Sequence, residues 1–78
     1  MRETRTDAVK MPLHYMGDGK TEMMDAMRSM MANAEVKPIQ AYWWGNTFKY
    51  LWRWPLKNGR QDLEKAARCL EYLMEVCE

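Results

Sequence analysis

Gln40–Ala67 reads QAYWWGNTFKYLWRWPLKNGRQDLEKAA, and the fold of the chain turns on how this stretch is read. Within it, Tyr42–Lys57 holds all four tryptophans of the chain, three positive charges and no acid. Placed at 100° per residue on a helix, its polar groups gather instead of scattering. Tyr42, Asn46, Lys49 and Arg53 form one stripe, with Tyr50 and Trp43 along its edge. Leu51, Trp44, Phe48, Ala41 and Trp52 occupy the opposite sector and are the expected core side. Cations flanked by flat π-faces suit a ligand that is both anionic and planar, and a nucleotide is the commonest such ligand.

Outward from this stretch the chain reads as three helices behind a short arm, with an all-α fold class. Pro38 opens the middle helix and Pro55 ends it; Lys57-Asn58-Gly59 is a turn signal. A last helix is expected from about Arg60 to Val76, with Leu63, Ala66, Ala67, Leu70, Leu73, Met74 and Cys77 as its apolar spacing. A second stripe on it (Asp62, Lys65, Cys69, Tyr72, Val76) is weakly apolar, fit either for cover by the N-terminal arm or for a subunit interface. Upstream, Thr21 is placed to cap a first helix with Met23, Met24, Met27, Met30, Met31 and Ala34 as its apolar positions. Glu22 and Asp25 fall in its first turn, where carboxylates complement the helix dipole. Residues 1–12 lack apolar periodicity and form the arm; residues 13–78 form a single helical domain.

Composition limits the function. At 78 residues the chain is one domain at most, with a marginal core of its own, and nine Met, four Trp and four Tyr are a surplus of large apolar groups. Homo-oligomerisation is the expected remedy, with a dimer as the minimum unit. A net charge of +1 argues against a general nucleic-acid binder, and no sequence-specific nucleic acid is expected. Its distribution is telling: residues 36–61 carry five Lys/Arg and no acid, while residues 62–78 carry two against five acids. That is a local anion site on a balanced protein, or a solvated basic face pairing with the acidic last helix. No signal peptide or membrane span is visible, and two cysteines eight apart on one helix are too distant to bridge, so a reduced cytoplasm is expected. One histidine leaves no Cys/His ligand set for zinc.

The candidate ligand-binding residues are His14, Tyr15, Trp43, Asn46, Lys49, Tyr50, Arg53, Trp54, Lys57 and Asp62. Trp44 and Trp52 are assigned to the core, Trp43 and Trp54 to an interface or a base-stacking wall. His14 lies on a loop, where a structural hydrogen bond competes with a catalytic role. Asp62 either starts its helix or orients Arg53 or a ribose hydroxyl. Phosphoryl transfer needs a phosphate cradle, a lysine and a magnesium-holding group. Gly17-Asp18-Gly19-Lys20-Thr21 matches only the tail of a P-loop, without the upstream glycine or a preceding strand. Glu22 and Asp25 share a helical face that can hold Mg²⁺, although paired acids in a first turn are common. No catalytic set, metal or cofactor is assigned.

The order His14-Tyr15, a short acidic-started helix, Gly45-Asn46-x-x-Lys49-Tyr50-x-x-Arg53, Lys57, Asp62-Leu63-x-Lys65-Ala66 and Tyr72-Leu73 resembles a family of small phage-encoded domains. The resemblance spans about residues 12–75. The family is usually described as a protein of unknown function, and some members are described as nucleotide kinases. It implies a phage protein working in the bacterial host cytoplasm; the tryptophan-rich surroundings of the motif and the methionine-rich first helix depart from the pattern. Three functions follow as expectations. The first is capture without turnover of a nucleotide, such as a cyclic dinucleotide signal of host antiviral defence, by sites formed between subunits. The second is a nucleotide kinase or other nucleotide-metabolising enzyme. The third is an inhibitor that docks on a host protein through its Trp/Met surface.

Overall fold

The computed structural model describes residues 17–77. The arm 1–12, together with His14 and Tyr15, lies outside the described residues. Three α-helices follow: α1, Met23–Met31; α2, Pro38–Arg53; and α3, Arg60–Glu75, with a 3-10 turn at Trp54–Leu56 between the last two. No strand occurs among the described residues.

Pro38 occupies the first turn of α2, where its missing N–H costs nothing. Ahead of it, Gln40 Oε1 accepts the Lys37 N–H at 2.9 Å. The same amide donates from Nε2 to the Val76 carbonyl at 2.8 Å, pinning the start of α2 to the end of α3. The far end of α2 relaxes into the 3-10 turn one residue before Pro55 instead of running to it. Gly59 then caps α3 at φ 55° and ψ −130°, a conformation that requires glycine, and its N–H closes the turn on the Trp54 carbonyl at 2.9 Å.

The resulting antiparallel hairpin of α2 and α3 is the body of the molecule. Its register is read from four cross-helix contacts: Arg53 with Asp62, Tyr50 with Lys65, Trp43 with Tyr72, and Gln40 with Val76. The methionine helix α1 lies on another side of α2. It crosses at Gly45, where a Cβ would stand 3.4 Å from Met27 Sδ and 3.5 Å from Met31 Cε. Glycine in mid-helix costs stability but lets the two helices approach closely.

Three local expectations are corrected. Thr21 does not cap α1: the helix starts one residue later behind Glu22, which is buried and makes no side-chain cap bond. Leu51, expected in the core, is 52 % exposed, and Trp44, Phe48, Ala41 and Trp52 are only half-buried. On α3 the inward face runs between the two stripes: Asp62 and Cys69 of the second and Ala66 of the first are buried, while Leu70 and Met74 of the first stand 45 % and 61 % exposed. The reason is common to the last two. A small domain can bury only one narrow face of each helix, and here the Arg53–Asp62 contact decides which face turns inward.

Candidate anion-binding face

Arg53 and Asp62 anchor one end of the hairpin. The Asp62 carboxylate is fully buried, and Arg53 is 8 % exposed. Arg53 donates from Nη2 to Oδ1 at 3.4 Å, with Nε 3.4 Å from Oδ2. Asn58 adds its backbone N–H to Oδ2 at 3.3 Å and its side-chain amide to Oδ1 at 3.2 Å. Burial pushes the Asp62 carboxyl up, but the hydrogen bonds from Asn58 and Arg53 outweigh it and hold its pKa below the ordinary aspartate value. Both sequence readings of Asp62 therefore meet in one group. It steadies the start of α3 and it orients Arg53. The ribose-contact alternative is not available to a carboxylate buried this deeply.

The Arg53 guanidinium carbon lies 4.8 Å from the centre of the Tyr50 ring. Lys49 Nζ reaches the same ring at 5.0 Å and Lys65 Nζ, from α3, at 5.7 Å. Three cations around one aromatic ring repel one another, and the ring quadrupole offsets only part of that cost. Asp62 compensates Arg53; Lys49 and Lys65 make no ion pair among the described residues. The face is thus electropositive and has a flat π-surface at its centre.

Further along the hairpin, Trp43 stacks on Tyr72 with ring centres 4.6 Å apart and meets Tyr42 edge-on at 4.8 Å. Arg68, beside Tyr72 on α3, pairs with Glu71 at 3.6 Å, and these two neighbours hold its pKa above the ordinary arginine value, Tyr72 foremost. Thr47 and Asn46 donate to the Trp43 and Tyr42 carbonyls of their own helix, each at 2.8 Å. Cys69 is buried below, where desolvation pushes its thiol pKa up and nearby Lys49 draws it back only partly.

The ten sequence candidates therefore divide. Lys49, Tyr50 and Arg53 come together, Arg53 as a buried positioning group and not as an outward stripe. Asn46 lies on the adjoining turn of α2. Trp43 is engaged in the α2–α3 stack instead of standing open as a base wall. Trp54 is partly exposed on the 3-10 turn, and Lys57 is exposed in the turn that follows. Asp62 serves from inside, and His14 and Tyr15 lie outside the described residues. Lys65 and Tyr72 were not among the candidates. The signal for them was their place on the same α3 stripe as Asp62 and Cys69.

The P-loop-like tripeptide has a different use. Asp18 accepts the backbone N–H groups of Lys20 and Thr21, both at 2.8 Å, so the donors a phosphate would need are turned onto the loop's own carboxylate. Those bonds, the one from Lys20 foremost, hold the Asp18 pKa below its ordinary value. Of the two acids once paired as a magnesium site, Glu22 is buried and Asp25 bonds Arg28 at 2.9 Å. No cluster of three or more metal-binding side chains occurs among the described residues. None of their helices is long and apolar enough to cross a membrane.

Fold and site together define a small helical-hairpin domain with one cationic, aromatic face. The chain belongs to the family described as a protein of unknown function, DUF3310, which matches residues 9–71. No curated protein and no solved structure matches the chain.

Proposed function

We propose that this is a phage-encoded nucleotide-binding protein of the host cytoplasm. It holds a nucleotide, such as a cyclic dinucleotide signal of antiviral defence, without converting it, and it works as a homo-oligomer. One observation carries the reading: Lys49, Arg53 and Lys65 converge on the Tyr50 ring, and only Arg53 has its charge compensated by a buried carboxylate. A phosphate between Lys49 and Lys65 relieves their mutual repulsion through charge-assisted bonds, and a base finds a π-surface beside it. A ligand with two phosphates and two bases is met twice when two copies assemble. Turnover has less to work with, because the Gly-Lys-Thr loop spends its amides on Asp18.

A thermal-shift screen of mono-, di- and cyclic nucleotides tests the reading, followed by chromatography of the ligand released from the denatured complex. At least one nucleotide raises the melting temperature and is recovered intact. A phosphorylated or hydrolysed product that depends on Mg²⁺ makes the protein an enzyme instead, and no shift with any nucleotide removes the reading.

A further inference from the structure

The side of the α2–α3 hairpin remote from the Tyr50 cluster is apolar. A groove of about 210 Å³ opens there, lined by Val36, Gln40, Trp44, Leu73 and Cys77. Helix periodicity extends the same surface: Leu51 is seven residues on from Trp44, and Leu70 and Met74 flank Leu73 and Cys77 at one-turn spacing. Leu51, Leu70 and Met74 are exposed large apolar side chains, whereas Met23, Ala66 and Cys69 are the only buried apolar ones among the described residues.

We infer that this face binds a second copy of the chain, with Leu51 of each copy seated in the groove of the other. Knob and groove lie on one face, Leu51 standing about 10 Å along α2 from Trp44, the near wall of the groove, seven residues at 1.5 Å each. A two-fold axis in the interface, crossing α2 at right angles between them, satisfies both contacts at once, as an isologous dimer requires. The same axis lays α3 antiparallel on its counterpart. It brings exposed Arg60, at the start of α3, toward Glu75 at the end of the other α3, so that Arg60, which pairs with Glu64 of its own helix at 3.2 Å, meets an opposite charge at the rim. Two helices over some 24 Å present a face on the order of 500 Å² in projection, the scale of a standard interface burying about 800 Å² of accessible surface per partner. With so few buried apolar side chains among the described residues, the domain gains most from a permanent partner of its own kind. This specifies the self-association in the proposed function, but it does not depend on a nucleotide being bound.

Light scattering on the full chain, without nucleotide, reads the outcome. At micromolar concentration the parent has at least twice the 9.4 kDa chain mass. Leu51→Glu and Leu70→Glu each reduce it to the monomer while circular dichroism keeps its helical signal, and Tyr42→Glu, on the cationic side, leaves the mass unchanged. Should the charged variants unfold, Leu51→Cys decides. Mild oxidation then yields a covalent dimer whose disulfide, mapped by mass spectrometry, joins the introduced thiol to Cys77 of the second copy. A monomeric parent, an oligomer indifferent to both charge substitutions, or oxidation that never links those two positions overturns the inference. None of these results bears on whether nucleotides bind.

Discussion

Asp62 and Arg53 show how one residue pair can set both a fold and the charge of a surface. A buried carboxylate is costly unless hydrogen-bonded and paired, and here the Asn58 amide groups and the Arg53 guanidinium meet that need. Because the Asp62 pKa is lowered in the folded chain, its contribution to stability is fully present above the unfolded value of 3.8 and is lost as pH falls through the folded value. Acidification below about pH 4 therefore lowers the melting temperature through this group. Asp62→Asn lowers the melting temperature at neutral pH and flattens that acid limb; a melting curve against pH that runs parallel to the parent's contradicts the assignment. The sequence showed both residues but not their meeting. A helical projection treats α2 as a lone cylinder, and on a lone cylinder a polar stripe faces water. The counterion that draws Arg53 inward comes from α3, nine residues on, through a turn whose geometry depends on Gly59.

At the scale of elements, two glycines with opposite demands test the packing. Gly17, at φ 60°, lies against the Trp52 ring, and a Cβ there would stand 2.6 Å from Trp52 Cζ2. Gly17→Ala combines that overlap with an unfavourable backbone and costs about 1–3 kcal/mol, roughly 4 °C or more in melting temperature for a domain of this size. Gly45→Ala does the opposite. Its Cβ falls in ordinary contact with Met27 and Met31, and removing a mid-helix glycine adds about 0.5–1 kcal/mol. Thermal unfolding of the two variants moves in opposite directions; a shift of the same sign in both refutes the α1 crossing or the loop contact. Helix positions were legible from Pro38, Pro55, Asn58-Gly59 and the methionine spacing, because these are local signals. Lys65 beside Tyr50 was not. That proximity is fixed by the hairpin register, a long-range property that no local pattern of either helix states.

For the whole molecule, the hairpin divides its surroundings: cations and aromatic rings on one side, leucines and a groove on the other. The cationic side was legible only in part, as a run of five positive charges and no acid over residues 36–61, of which Lys49 and Arg53 reach the Tyr50 ring. Its composition needed correction, with Arg53 and Asp62 serving from inside and Lys65 joining from α3. If this side holds a phosphate, its affinity must respond to charge and to salt. The most direct measurement is titration calorimetry of the strongest-shifting nucleotide against the parent, Lys49→Ala and Lys65→Ala at two ionic strengths. Each substitution weakens binding by about tenfold or more, the loss expected for one charge-assisted contact, and added salt weakens the parent most. Parent-like affinity in both folded variants, unchanged by salt, contradicts an anion site at Tyr50.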